Sequence, residues 1–193
     1  MTNEKEHLIV AGTCAEKIQA LLPFARAFAK ASDSAILALG LVAVPPNVSL
    51  SAGALAARRL RKTIHAPARR CGARVAVRVA HEVWGELARA AREENATLIL
   101  LHWEEALPHE ALRALPGHVA IIKPPFPPAN SRILLPIRGG PYAALALRLA
   151  LALVHAQRGE ITVLHATPPA RRSVEYQELV QHLRALPQRR AGA

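Results

Sequence analysis

Arg138-Gly139-Gly140 is the tripeptide best suited to hold an anion, because it sets a guanidinium beside two flexible backbone amides at the start of a helical pattern. Without a ligand the same glycines would serve only a tight turn. Cys14 lies where an apolar run passes into a helical pattern, and it reads as a structural thiol. The nine histidines are scattered; His102 and His109 are near each other in sequence, but no third ligand stands at metal spacing, so no metal site is expected. No Gly-x-Ser-x-Gly elbow, paired catalytic carboxylates or Cys-x-x-Cys occurs, and nothing argues for an enzyme. Arg58, Arg59, Arg61, Lys62, Arg69, Arg70 and Arg74 form a basic cluster. It could track the phosphates of a nucleic acid. Aromatic residues are only 4% of the chain and none interleaves with these cations, so a solvated helix face is the better reading.

Strands and helices alternate around these residues. Leu8 to Val10 is an apolar run ending at Gly12, followed by a helical stripe of Ile18, Leu21, Leu22, Ala25 and Phe28. Ala35 to Val44 is the next apolar run, stopped by Pro45-Pro46. Ser49 or Ser51 can cap a helix through Ala66, which Pro67 should end or kink. Ala73 to Ala80 carries Arg74 and Arg78 among small apolar residues, as an edge strand would. Trp84 to Asn95 and His109 to Leu115 read as helices, and Thr97 to Leu101 and Val119 to Ile122 as strands. Such alternation marks a parallel α/β sheet.

Lys123 to Ser131 has four prolines in nine residues and reads as an extended linker. The pattern then restarts. Ile133 to Ile137 is a strand, Tyr142 to Ala156 a helix with Pro141 near its first position, Ile161 to His165 a strand, and Ser173 to Leu186 an amphipathic helix. A shift of 125 residues aligns Leu8 with Ile133, Ile36 with Ile161 and Leu39 with Leu164 without a gap, which predicts an internal repeat. The expected organisation is a domain over 1–125, a linker over 126–131 and an incomplete second repeat over 132–193. Two parallel strands with two helices should not be stable alone, so the repeat is expected to be buried in a homo-oligomer, most simply a dimer.

Residues 132 to 169, RILLPIRGGPYAALALRLALALVHAQRGEITVLHATPP, resemble the start of a universal stress protein domain. The AREENATLILL and ALRALPGHVAIIKPP segments resemble that family's third helix with fourth strand, and its closing helix with fifth strand. The second copy also resembles domains of this family appended to bacterial permeases and antiporters, which implies a membrane transporter or another protein as partner. The resemblance implies an open five-stranded parallel sheet in the order 3-2-1-4-5 with helices on both faces, followed by a partial β-α-β-α repeat. It puts the ligand crevice at the carboxyl ends of the first and fourth strands. Gly12, Thr13, Cys14 and the His102-Trp103 segment would line it, so Gly12 and Thr13 join Arg138, Gly139 and Gly140 as candidate cofactor-binding residues.

ATP-binding members carry a G-x2-G-x9-G-[ST] loop after the fourth strand. Here His102 and Glu105 stand where the first two glycines belong, the loop is shorter, and Glu104, Glu105 and Glu110 put negative charge where phosphates would sit. The family's nucleoside-contacting Asp is replaced by Ala11 or Thr13, and by Arg138 in the second copy. ATP binding in the usual mode, and any cofactor, are therefore not expected. The alternative is ATP or AMP held through the Arg138-Gly139-Gly140 turn, with weak or no ATPase activity.

Composition agrees with a globular regulatory or scaffold module. The chain has 193 residues, 51% of them hydrophobic, enough for a core without disulfides. Its formal net charge is +11, and 20 of its 25 cations are arginine. Such an excess favours acidic partners, though nucleic acid is not expected. No apolar stretch has the ~18 residues of a membrane span. Two cysteines and a polar N-terminus suit the cytoplasm.

Overall fold

The computed structural model describes residues 6–104 and 107–165. The chain divides into two units, Met1–Phe126 and Pro127–Ala193. In the first, β1 (His7–Gly12), β2 (Ala35–Ala43), β3 (Ala73–Ala80), β4 (Leu98–His102) and β5 (His118–Ile122) form one sheet in the order β3-β2-β1-β4-β5. Every pairing is parallel, as the alternation of elements requires. β1 and β4 lie inside the sheet, and their apolar runs are buried through Leu8–Ala11 and Leu98–Leu101. That is the pattern of strands covered on both faces. β3 is an edge strand, and Arg74 and Arg78 guard it.

Helices α1 (Ala15–Ser32) and α2 (Ala54–Arg70) pack against each other. On the core of the other face, Leu87, Ala88 and Ala91 of α3 (Val83–Glu93) join Leu115, just past α4 (His109–Arg113), against Ile9, Leu37, Leu39 and Leu41.

Pro67 does not end α2, which runs on to Arg70. A proline inside a helix orphans the carbonyl four residues earlier. Here that carbonyl belongs to Thr63, and it accepts a bond from Gln19 Nε2 of α1 at 3.3 Å. Ile64 and Ala68, both fully buried, pin the last turns to the sheet. The expected serine cap holds not α2 but the 3-10 turn Leu50–Gly53 before it, where Ser49 Oγ accepts from the Ser51 amide at 3.4 Å.

A charged network ties the edge strand to α3. Arg78 donates to Glu86 at 3.1 Å and Glu93 at 2.5 Å, and Arg89 reaches the same two carboxylates at 2.6 Å each. The hydrogen bond from Arg78 holds the Glu93 carboxyl below its ordinary value, with Arg89 assisting. A carboxylate with a lowered folded-state pKa stabilises above its unfolded value of about 4.3, and that contribution is lost as pH falls through the folded value. Stability measured by urea unfolding should therefore fall more steeply below pH ~4.3 in the native chain than in Glu93→Gln. Identical pH profiles would show that the network does not couple to folding.

The second unit contains β6 (Arg132–Ile137), α5 (Ala143–Gln157) and β7 (Glu160–His165). β6 and β7 pair in parallel with Arg132 opposite Glu160 and Ile137 opposite His165, each pair 125 residues beyond a β1–β2 pair. The helices end alike too: Asp33 and Arg158, also 125 apart, are left-handed caps at φ 51° and 52°. The ALALRLALALV segment alternates with a period of two, yet it is helical in α5, and Leu147 packs with Ile137, Leu135, Ile161 and Val163. Pro141 falls outside α5, one residue before the cap Tyr142. Phe126 belongs to the first unit rather than to the linker, because its ring meets Phe24 of α1 edge-on at 4.7 Å. The helix expected at Ser173 to Leu186 lies outside the described residues.

Candidate functional site

The strand order reverses between β1 and β4: α1 leaves β1 for β2, and α3 arrives at β4 from β3 across the other face. A cleft must open there at the carboxyl ends of the strands. It is lined by Ala11, Gly12 and Thr13 from β1 and its turn, Leu101, His102 and Glu104 from β4 and beyond, and Trp84 and Leu87 from α3. Gly12 permits the close approach of α1, since a Cβ there would lie 2.9 Å from Ile18 Cγ1. Cys14 and Trp103 are not part of the lining. Cys14 is the cap residue just before α1, and the Trp103 amide donates to the Ile122 carbonyl at 2.8 Å, extending the β4–β5 ladder.

Lys17 and Trp84 complete this cleft, and neither stood out in the sequence. Lys17 Nζ, on the first turn of α1, meets Glu104 Oε1 at 2.6 Å across the cleft mouth. The two are 87 residues apart, so no local pattern announces the pair. Trp84 is aimed by its own helix start: the Glu82 carboxylate caps α3, accepting from the Trp84 amide at 3.0 Å and also from the Gly85 amide. A tryptophan at the start of the helix that follows a strand's carboxyl end was the available signal, since that is the end where the crevice forms.

The cavity is about 60 Å³, room for about four waters. Small-molecule pockets usually start near ~300 Å³. Its walls are mainly aliphatic and aromatic, with one ion pair at the mouth. Phosphate oxygens brought to the Gly12–Thr13 turn would meet the Glu104 carboxylate. Glu110 is exposed on α4, and Glu105 lies outside the described residues. His102 Nδ1 bonds to the Trp103 carbonyl oxygen at 2.7 Å.

Arg138, Gly139 and Gly140 belong to the second unit and form the turn between β6 and α5. Both glycines have left-handed backbone, φ 87° and 92°, and the Gly140 carbonyl accepts from the Ala143 amide at 3.1 Å. Arg138 is exposed. Two successive positive-φ residues differ from the alternating right- and left-handed backbone that makes an anion-binding nest. The turn therefore offers one guanidinium without a built cradle. Of the seven clustered cations, Arg74 pairs with Glu94 at 2.5 Å, and the six on α2 are exposed.

No protein-family model matches the chain, and no curated protein matches it in sequence. Solved structures do match. A universal stress protein from Archaeoglobus fulgidus superposes with a TM-score of 0.64 at 12% identity, over 95% of this chain and 74% of that one. A putative universal stress protein from Pseudomonas aeruginosa gives 0.57 at 15% identity, over 95% and 70%. A functionally unknown protein from the same species gives 0.55 at 17%, with the same coverage. Strand order, crossover connections and these superpositions agree, and the fold of this chain is that of the universal stress proteins.

Proposed function

We propose that this chain is a non-enzymatic regulatory or scaffold module of universal stress protein type, without the usual ATP site, acting in the cytoplasm through self-association. The observation that carries this reading is the Lys17–Glu104 pair across the cleft mouth. It spends the cation best placed for a phosphate and leaves a carboxylate in that place. Two like charges ~4 Å apart cost about 1 to 4 kcal/mol between bulk water and a protein surface. The aliphatic wall supplies nothing to offset this.

Self-association is supported by the second sheet. Leu134 and Leu164 are 62% and 56% exposed, whereas Ile9 and Leu39, 125 residues earlier, are fully buried. The common register of the two strand pairs supports reading the chain as a tandem repeat. A tandem arrangement of this kind suits a module that meets a second copy, or a transporter-type protein, through its second unit.

Thermal unfolding with millimolar ATP, ADP and AMP tests the nucleotide part. No shift in midpoint is expected, whereas a ligand at 100 times its dissociation constant would stabilise the fold by about 2.7 kcal/mol. Glu104→Gln should let AMP raise the midpoint, because it frees Lys17 over the Gly12–Thr13 turn. An upward shift in the native chain would overturn the proposal. If Arg138→Ala abolished that shift, the ligand would belong to the Arg138-Gly139-Gly140 turn.

A further inference from the structure

We propose that the solvent face of α2 is a docking surface for an anionic lipid bilayer. α2 carries Arg58, Arg59, Arg61, Lys62, Arg69 and Arg70 and has no acidic residue. All six side chains are exposed, and none forms an ion pair with a described residue. The arginines of β3 and α3 behave differently: Arg74, Arg78 and Arg89 are all neutralised by glutamates of α3 and its cap. Six cations without an acidic neighbour on their own helix thus stand together on α2.

Helical geometry makes this charge a ridge. Leu60, Ile64 and Ala68 turn toward the core. Arg58, Lys62 and Arg69 lie along the opposite side at spacings of four and seven residues, a straight row about 16 Å long. The aliphatic neighbours decide which polyanion fits. Leu55 is 58% exposed and sits one turn before Arg58 and Arg59; Leu50 and Val48, on the segment leading into α2, are 44% and 38% exposed. A nucleic acid backbone would use the cations and leave these aliphatic side chains idle, and α2 has no Phe, Tyr or Trp for stacking on bases. A bilayer surface uses both, since headgroup phosphates meet the cations while an aliphatic tip enters the acyl boundary. The apolar stripe of α2 is committed to the protein core, so the helix rests on the surface by its polar face. Attachment is peripheral and weakens with salt.

Co-sedimentation of the full chain with vesicles tests this. It should pellet with phosphatidylcholine vesicles containing phosphatidylglycerol, not with phosphatidylcholine alone, and salt should release it. Each cation near an anionic surface is worth about fivefold in binding. The triple variant Arg58→Glu, Lys62→Glu, Arg69→Glu should therefore lose more than ~100-fold. A variant of equal net charge, Arg92→Glu, Arg113→Glu, Arg132→Glu, should keep most of the binding. Leu55→Ser should lose about tenfold, because the inserted aliphatic group is gone. Equal losses in the two triple variants would mean that net charge alone drives binding, and would overturn the proposal. So would full binding by Leu55→Ser, or release of the protein from vesicles by duplex DNA at equal phosphate concentration. Leu55→Ser changes one exposed side chain and leaves the buried face intact, so that arm holds if the triple variant fails to fold.

Discussion

Gly117→Ala should cost the fold about 3 kcal/mol or more, while Gly72→Ala should cost only ~1 kcal/mol. Both glycines have left-handed backbone, at φ 76° and 74°. A Cβ at Gly72 meets nothing within 4 Å, so only the backbone penalty applies. A Cβ at Gly117 would lie 2.6 Å from the Ala96 carbonyl oxygen and 3.0 Å from that of Thr97. Those atoms are backbone and cannot swing aside as a side chain could. The His118 amide donates to the same Thr97 carbonyl at 3.0 Å, so the clash falls where β5 docks beside β4. Urea unfolding measures both variants, with the midpoint shifting at constant slope. Equal losses would mean that the dihedral alone matters and that the chain gives way around Gly117. A Gly117→Ala loss with disturbed signals at His102 would show that β5 helps to shape the cleft.

Leu39→Ala and Leu164→Ala should differ by several kcal/mol although the two leucines stand at the same place in their strands, 125 residues apart. Leu39 is fully buried beneath α3. Truncating such a leucine removes its transfer energy and leaves a cavity, costing about 2 to 5 kcal/mol. Leu164 is 56% exposed. Its truncation should move the unfolding midpoint of dilute protein by no more than ~0.5 kcal/mol. If the chain associates through the open face of β6 and β7, Leu164→Ala should instead weaken the dimer, and Leu134→Asp should abolish it. Sedimentation equilibrium over a concentration series reads that effect. A native chain that stays monomeric throughout would remove self-association from the proposed function and leave the stability comparison standing.

Much of this architecture was legible in the residues. The buried runs of β1 and β4, the charged edge of β3 and the restart after the proline segment each follow from short-range patterns: apolar runs where both faces are covered, charge where a strand edge is open, prolines where no helix can form. The strand order came from the family resemblance and agrees with the sheet observed. Chain reversal at the centre of such a sheet opens a cleft at the carboxyl ends of β1 and β4, with Gly12, Thr13 and His102 in its lining but not Cys14 or Trp103. Its other residues were not legible. Nothing in the residues singles out Lys17, and Glu104 counts only as an obstacle to phosphate, but the fold sets them 2.6 Å apart.

By itself, then, the sequence determined the kinds of element, their succession and the repeated strand register, because these depend on periodicities of two to four residues and on local backbone chemistry. The tertiary structure decided what each element meets. It let α2 run through Pro67 by supplying Gln19 to the orphaned Thr63 carbonyl. It covered Ile9 and Leu39 and left Leu134 and Leu164 open, and it set a salt bridge between cleft residues 87 positions apart. Such outcomes rest on pairings between distant segments, and a side chain's energy in them is set by its partner and its burial, quantities that exist only once the chain has folded.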